Sequence, residues 1–332
     1  MMTPNNIWPY GLALAAGAIG ALVIALGGEK MALLDRPNAR SSHRQPVPRG
    51  GGIGLLGAFV IGAVRHDAPA GFWIPALVLA LISFWGDRVD ISLWLRLAAQ
   101  FFLTFCFLFF VVVYHFYYSG CAWGLGISVF YLFFIVATAN FYNFMDGING
   151  IAGITGLTAF GLLGAYGLAT GKDGAGIGIS FFLALACAGF LPFNLPRARV
   201  FMGDVGSVFL GFAFAGLVAM WSNSVAEFVL LTSFLFLFYA DELVTLVERL
   251  RDGQSPLKAH RRHLYQVLAN EAGLPHWRVS VGYGLAQLLI GLAVWGIGGH
   301  GLVARLVFLV LLLAAFVWFN NRIKRRYQTA RS

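Results

Sequence analysis

The sequence predicts an all-α fold: a polytopic membrane bundle of about eleven transmembrane helices, with the N-terminus on the periplasmic side. Composition is the first observation that predicts it. Of 332 residues, 59% are hydrophobic and only 11% are charged, whereas a water-soluble chain of this length needs a far more polar surface. The second observation is that the apolar residues gather into runs of about 20, the length that spans a bilayer.

Eleven such runs follow one another along the chain. The first run lacks the charged start and the cleavage site of a signal peptide, so we expect this run to be retained as a span. The second run is short and rich in glycine. No long hydrophilic segment marks a second domain, so we expect residues 1–332 to form a single integral-membrane domain with a basic cytoplasmic tail at 322–332. The predicted spans are residues 7–27, 50–64, 69–86, 95–115, 122–144, 151–168, 174–193, 205–221, 226–249, 278–298 and 302–321.

The distribution of positive charge predicts the orientation. All but three of the 23 lysines and arginines fall in alternate connections, and the exceptions are Arg65, Lys172 and Arg305. Cytoplasmic loops carry such an excess, so the richer set is assigned to the cytoplasm. The net charge of +9 therefore reflects topology, with some attraction to anionic lipid. It does not indicate nucleic-acid binding, because no soluble basic domain is present to carry it.

Polar residues interrupt one apolar run at "NFYNFMDGING", residues 140–150. Asn140, Asn143 and Asp146 are spaced by three, so on a helix they share one face. Such groups are costly in hydrocarbon. Four aspartates in all lie where a predicted span meets the cytoplasm, and we expect them to form one polar site: Asp87, Asp146, Asp204 and Asp241.

A cluster of carboxylates with few lysines between them suggests a hard divalent cation. Mg²⁺ takes oxygen ligands, typically one or two carboxylates plus water and substrate phosphates. Basic loops at 41–52, 196–201 and 258–266 are available to hold phosphates. Together these features favour phosphoryl transfer between a nucleotide and a lipid.

Each motif also has a structural reading. The 140–150 stretch is compatible with a packed helix break, and Asp204 in "VFMGDVGSVFLG" with a plain helix cap. "GDRVDIS" (86–92) resembles an ordinary loop, and 258–266 an ordinary positive-inside loop. "RGGGIG" is not a nucleotide P-loop, because no Gly-Lys-Ser/Thr follows it.

Taken together and in order, the motifs "HRQPVPRGGG", "GDRVDIS", "NFYNFMDGINGIAG", "NLPRARVFMGDVGSVFLG" and "SPLKAHRRHLYQ" resemble one family. It is the polyprenyl-phosphate N-acetylhexosamine-1-phosphate transferases, or glycosyltransferase family 4, and the resemblance covers roughly residues 35–270. It implies a helical enzyme of the bacterial inner membrane. That enzyme would move a sugar-1-phosphate from a UDP-N-acetylhexosamine to undecaprenyl phosphate and release UMP.

The resemblance also implies residue roles. Asp204 matches the magnesium-binding aspartate, with Mn²⁺ as an alternative ion, and Asn143 matches an asparagine near the metal. Phe201 stands where relatives stack on uracil. The implied catalytic set is Asp87, Asp146 and Asp204, and the implied substrate-binding set is Asn140, Asn149, Phe201, His43, Arg49, Arg261, Arg262 and His263.

The chain departs from the family pattern at three places. Gly86 replaces the first acid of an Asp-Asp pair, so Asp87 would serve alone or with help from Asp90. Asn149 replaces the second aspartate of the D-G-x-D-G pattern. The His-x-His-His tail keeps only His263. We therefore expect the diphosphate contacts to depend on that histidine and the two arginines before it.

Two alternatives to an active transferase remain open. One is a secondary transporter, since transporters also contain membrane carboxylates and broken helices. The other is a catalytically inactive homologue, because Gly86 and Asn149 replace family aspartates. Within the family, "DGING" and "HRRHLYQ" resemble the branch that starts O-antigen synthesis with N-acetylfucosamine or N-acetylquinovosamine. N-Acetylglucosamine is another candidate sugar, and the synthesis of another surface polysaccharide is another candidate pathway. Assembly into a homodimer is also left open.

Overall fold

The computed structural model describes residues 8–37, 42–43, 45–89, 91–119, 124–255 and 261–328. Within these residues the helices are joined by turns and loops, and the extended structure consists of one short antiparallel ribbon, in which β1 (Leu34–Asp35) pairs with β2 (Val47–Pro48), and a single parallel bridge between Arg49 and Phe201. The helices, in order, are α1 Trp8–Gly27, α2 Ile53–Arg65, α3 Ala70–Arg88, α4 Leu93–Ser119, α5 Leu125–Phe144, α6 Ile151–Thr170, α7 Gly174–Asn194, α8 Asp204–Trp221, α9 Val225–Ser233, α10 Phe236–Arg251, α11 Leu264–Gln266, α12 His276–Gly296 and α13 Gly301–Gln328. A π-helical turn, Val267–Glu271, follows α11.

The prediction of a helical membrane bundle is confirmed. Over the described ranges, eight helical stretches are long and apolar enough to cross a bilayer, or nine if the bent pair α9 and α10 counts as one span. Every predicted run coincides with a helix or with that pair. The second run forms α2, which has 13 residues and is too short to span the hydrocarbon alone.

The last of the eight stretches, His276–Tyr327, contains two helices that run in opposite directions. Near the start of α12, Ser280 donates to the carbonyl of Asn149, and near its end Trp295 packs on Tyr166 at the far end of α6. The start of α13 lies beside the start of α9, and its last turns lie beside α10. The chain therefore crosses the bundle twice here.

Most of the predicted basic tail, residues 322–332, is part of a helix that packs against the bundle. Residues up to Gln328 continue α13, and Lys324 is buried, with its Nζ 2.6 Å from Glu248 Oε2. Asn320 donates to the same carboxylate at 2.8 Å. These bonds hold the end of α13 against α10, and residues 329–332 lie outside the described part of the chain.

Helix α8 is the central element of the bundle. Nearly all of its side chains are buried, and its first turn touches the chain just before α2. A Cβ on Gly52 would lie only 2.4 Å from the Cα of Gly206. The two backbones can approach because both residues are glycine. This contact positions the loop before α2 at the start of α8, beside the cavity described below.

Candidate active site

A polar cavity of about 380 Å³ lies at one end of the bundle. It is bounded by the end of α3, the turn between α5 and α6, the start of α8 and the loop that carries β2. Eight of the predicted site residues line it: His43, Arg49, Asp87, Asn143, Asp146, Asn149, Phe201 and Asp204. The structure thus brings together these side chains from four parts of the chain.

Asp204 begins α8, and each of its carboxylate oxygens accepts a hydrogen bond. Asn143 Nδ2 donates to Oδ1 at 2.8 Å, and Arg96 donates to Oδ2 at 2.5 Å. Gly203, which precedes the helix, has φ of +75°, and a Cβ there would meet Asp87 Oδ2 at 2.6 Å. Only glycine suits that position, which fixes the entry of the chain into α8 and hence the place of Asp204.

Asp87 caps the same helix. Its Oδ1 accepts from the backbone N–H of Asp204 at 3.0 Å, and its Oδ2 accepts from that of Val205 at 3.1 Å. The side chain is buried, and the Nε of Arg49 donates to its main-chain carbonyl at 2.7 Å. A carboxylate at a helix N-terminus satisfies free N–H groups and complements the helix dipole. Asp87 therefore links the end of α3 to the start of α8.

The turn between α5 and α6 carries Asp146 into the cavity. Its closing residue, Gly150, donates its N–H to the Asn194 side chain at 2.5 Å, and Asn194 in turn donates to the carbonyl of Val200 at 2.8 Å. Burial, and after it the negative charges of Asp204 and Asp87, raise the pKa of the Asp146 carboxyl well above its ordinary range. A bound cation would offset this clustering of acids.

The loop before α2 is joined to the loop before α8. Phe201 donates its N–H to the carbonyl of Pro48 at 2.7 Å, and Gly51 donates to the carbonyl of Phe201 at 2.9 Å. The ring of His43 lies edge-on to Phe201, with centroids 4.9 Å apart. Asn149 lies across from them, and its side chain donates to the carbonyl of Pro196 at 3.3 Å. This rim of the cavity has one aromatic face flanked by an imidazole and an amide.

Four residues of the predicted substrate-binding set do not line the cavity. Asn140 bonds to Gln100 inside the bundle. Arg262 pairs with Asp252 on the exposed loop, and Arg261 is absent from the cavity wall. His263 is the clearest correction, as described next. Asp90 and residues 256–260 lie outside the described residues.

His263 is buried against two acids instead of facing the cavity. Its Nδ1 lies 3.5 Å from Asp241 Oδ1 and its Nε2 lies 3.3 Å from Glu242 Oε2. Asp241 also accepts from the backbone of Leu264 and Tyr265 and from the Tyr283 hydroxyl. The expectation that Asp241 joins the other three aspartates is therefore wrong, because its carboxylate caps the helix that begins at Leu264.

The sequence reasoning missed several residues of the site. Arg96 is one of the cytoplasmic cations in the charge pattern, and Asn194, which stands in "LPFNLP", is not among the predicted site residues. Ser207 follows Asp204 at helical spacing. Gln266, one turn after His263, reaches the cavity in its place, together with Asp35 and Ser42. Polarity at the cytoplasmic ends of predicted spans was the available signal for Arg96 and Asn194.

The donor set fits a divalent cation held partly by substrate. Among the described residues, no three His, Cys, Asp or Glu side chains are grouped to hold a metal ion. However, the amide of Asn143 donates to Asp204 and Ser207, which leaves its Oδ1 available. The Asp146 carboxylate lines the same cavity. Such oxygen ligands, completed by water and phosphate oxygens, suit Mg²⁺.

Comparison with known proteins relates this cavity to a family. The model of glycosyl transferase family 4 matches residues 69–222, the segment that contains Asp87, Asn143, Asp146 and Asp204. Two relatives are undecaprenyl-phosphate alpha-N-acetylglucosaminyl 1-phosphate transferases. That of Thermotoga maritima is 27% identical over 289 residues, covering 82% of this chain and 85% of the relative. That of Escherichia coli (strain K12) is 29% identical over 321 residues, covering 91% and 87%.

A third relative matches a shorter stretch. The decaprenyl-phosphate N-acetylglucosaminephosphotransferase of Mycolicibacterium smegmatis is 33% identical over 132 residues, covering 36% of this chain and 32% of the relative. The family match contains three acids of the cavity, Asp87, Asp146 and Asp204, and the longer relatives align along most of the chain. The family match and the longer relatives therefore relate this chain to glycosyl transferase family 4.

Proposed function

We propose that the chain transfers an N-acetylhexosamine-1-phosphate from a UDP-sugar to undecaprenyl phosphate and releases UMP. The observation that carries the proposal is the cavity in which Asp87, Asn143, Asp146 and Asp204 meet at one end of a membrane bundle. Relatives that align along most of the chain are named for this kind of transfer.

The reaction is a phosphoryl transfer. An oxygen of the lipid phosphate attacks the β-phosphorus of the UDP-sugar, the bond from that phosphorus to the bridging oxygen breaks, and UMP leaves. The product carries a diphosphate between lipid and sugar. Catalysis of this kind relies on positioning and on offsetting negative charge.

Six residues of the cavity wall have roles in that scheme. Asp204 and Asn143 would hold Mg²⁺ or Mn²⁺, which when bound offsets charge on the diphosphate. Phe201 and Asn149 form the rim suited to a uracil ring and its polar edge. Arg49 adds a positive charge beside the diphosphate. Asp87 holds the start of α8 and thereby orients Asp204.

The lipid phosphate needs no strong base, because it is already ionised near neutral pH. Asp146 would therefore act as an oxygen ligand for the bound cation more than through proton abstraction. This also gives a physical reason why Gly86 need not abolish activity. A second acid is dispensable where no proton has to be removed.

The finer assignments belong to the same proposal. We place the enzyme in the bacterial inner membrane with the cavity facing the cytoplasm, where UDP-sugars occur, and assign it to the start of O-antigen or another surface polysaccharide. The relatives named above act with N-acetylglucosamine, so that sugar joins N-acetylfucosamine and N-acetylquinovosamine as a donor to test.

The location of the cavity disfavours the transporter alternative. Transporters place their ionisable groups near the bilayer midplane, where discontinuous helices meet. Here the three acids lie at the ends of α3 and α5 and at the start of α8. An assay of UMP release distinguishes the proposed enzyme from a catalytically inactive homologue.

The assay uses the full chain in membranes with undecaprenyl phosphate, Mg²⁺ and a panel of UDP-N-acetylhexosamines. The expected result is UMP release with at least one sugar, lost when the lipid or the cation is left out. Absence of UMP with every sugar, from protein shown to be folded, would favour an inactive homologue.

A further inference from the structure

Each carboxylate oxygen of Asp204 accepts a hydrogen bond from the protein itself. Arg96 holds one oxygen at 2.5 Å and Asn143 holds the other at 2.8 Å. Asp204 is also the carboxylate best placed to bind a cation. A cation at this carboxylate would therefore compete with these two donors for its negative charge.

Arg96 is the donor that a cation would displace. Asn143 has its own amide oxygen to offer as a ligand, so it and a cation can share Asp204. A guanidinium has only donors and a positive charge, so it is repelled by a second cation on the same carboxylate. Binding of a divalent ion at Asp204 therefore favours release of the guanidinium.

Arg96 reaches Asp204 from outside the nucleotide cavity. It is not part of that cavity's wall; instead it lines a separate space of about 20 Å³ with Leu79, Ile82 and Val208, next to Gln100. That volume holds about one water molecule. Neighbouring side chains of α3 and α4, such as Trp85 and Leu95, are exposed and apolar, as on a lipid-facing surface. Arg96 thus lies on the bilayer side of Asp204.

Little else holds the guanidinium. Its NH2 group is 3.4 Å from the carbonyl of Gly86, a long hydrogen bond, and its Nε is buried without a hydrogen-bond partner among the described residues. Gly86 offers no side chain, and a Cβ at that position would lie 3.5 Å from the guanidinium. Asp204 is consequently its main anchor.

We propose that Arg96 is an internal counter-ion, displaced from Asp204 by the divalent cation and then free to bind the phosphate of the lipid acceptor on the bilayer side of the site. The proposal rests on the proposed function only for the identity of that phosphate. The guanidinium is planar and pairs well with phosphate oxygens. The side chain is about one-third exposed, at 34%, so it can turn without unpacking the bundle.

A coupling between the two ligands follows. If the cation releases Arg96 and the phosphate retains it in the released position, each ligand strengthens the binding of the other. Cation binding would then prepare the acceptor side of the site before the lipid arrives. The two substrates would be linked through one side chain.

The test measures Mn²⁺ binding by electron paramagnetic resonance of the free ion, with the purified full chain and no UDP-sugar. Arg96→Gln should bind Mn²⁺ about tenfold more tightly than wild type, because the competitor is gone. Arg88→Gln removes an equal charge from the exposed end of α3 and should change the affinity by no more than about twofold, because solvent screens it. Equal effects of the two variants would overturn the proposal.

Arg96→Lys guards against a folding defect, because it retains the charge and the aliphatic stem. It should tighten Mn²⁺ binding by a smaller factor than Arg96→Gln, since the shorter ammonium holds Asp204 less well. Unchanged or weaker Mn²⁺ binding in both folded variants would overturn the counter-ion role.

The acceptor arm adds geranylgeranyl phosphate, and in a parallel sample inorganic phosphate. The lipid phosphate should tighten Mn²⁺ binding to wild type and have no such effect on Arg96→Gln. Inorganic phosphate should act weakly, because it lacks the tail that brings it to the bilayer side. An equal effect of the lipid on both proteins would overturn the coupling. Failure of the proposed function is distinguishable, since it would appear as absent UMP release in wild type with this Mn²⁺ competition intact.

Discussion

Asp87 caps the helix that begins at Asp204. Its two carboxylate oxygens accept the backbone N–H groups of Asp204 and Val205 at 3.0 and 3.1 Å. The two acids are 117 positions apart in the chain, yet one sets the orientation of the other. Asp87 of "GDRVDIS" is therefore both a helix cap and a residue of the cavity wall.

Replacing Asp87 with Asn should impair both activity and stability. An amide has one acceptor oxygen where two are needed, and its NH₂ group faces a backbone donor. We expect UMP release to fall by about 10²-fold, as when a catalytic group is misplaced by about 1 Å, and the free energy of unfolding to fall by about 1 kcal/mol. Steady-state UMP release and thermal unfolding measure the two effects.

A matched cap at the other end of the bundle provides the control. Asp173 accepts from the N–H of Gly176 at 2.7 Å and from Trp221 Nε1 at 2.5 Å, far from the cavity. Asp173→Asn should lose comparable stability and retain activity. If Asp87→Asn changed activity by only about threefold, well short of the effect of a misplaced catalytic group, the site would have to be redrawn around Asp146 and Asp204.

Asn194→Ala should loosen the walls of the cavity. The side chain is buried and bonds the N–H of Gly150 and the carbonyl of Val200, so its loss leaves two buried groups unpaired at about 1–3 kcal/mol each. We expect a lower melting temperature and a higher KM for the UDP-sugar. Asn223→Ala, on the exposed opposite end, should change neither; a normal KM in a destabilised Asn194→Ala would contradict the positioning role.

The buried position of His263 between Asp241 and Glu242 leads to a further prediction. His263→Ala leaves Asp241 and Glu242 facing each other without the imidazole, so the free energy of unfolding should fall by about 3 kcal/mol or more. Gln266→Ala, which removes a side chain from the cavity wall, should raise the KM for the UDP-sugar with little change in melting temperature. The opposite pattern would restore the expected diphosphate contact to His263.

Labelling of single cysteines tests the orientation. In a background without Cys106, Cys121 and Cys187, a cysteine at Ser255 should resist a membrane-impermeant thiol reagent in intact cells. A cysteine at Gly299, an exposed residue at the far end of α12, should react readily. The reverse result would place the cavity on the outer face and remove its access to cytoplasmic UDP-sugars.

The fold was largely predictable because its main signal is local. A run of apolar residues long enough to cross a bilayer forms a helix wherever it occurs, so the predicted runs match the observed helices within a few residues. The exceptions are α2, which is short, and the run at 226–249, which divides into α9 and α10 at an 88° bend. That bend depends on packing between distant helices, which the sequence pattern does not contain.

The site was predictable where a motif carries it. Asp204, Asn143 and Phe201 lie in distinctive stretches, and they meet as expected. Arg96 was missed because an arginine at the start of a span is ordinary, and its partner lies 108 positions away. His263 was misplaced because a histidine in a basic loop gives no sign of the buried acids, Asp241 and Glu242, that surround it.

The central claim is that Asp204 supports Mg²⁺-dependent phosphoryl transfer to a lipid phosphate. It is tested most directly with a UDP-sugar labelled at the β-phosphorus, incubated with undecaprenyl phosphate and either wild type or Asp204→Asn. In wild type, the label should pass into the lipid phase while unlabelled UMP appears in equal amount, and folded Asp204→Asn should give neither. Release of labelled UDP, or near-normal transfer by Asp204→Asn, would contradict the account.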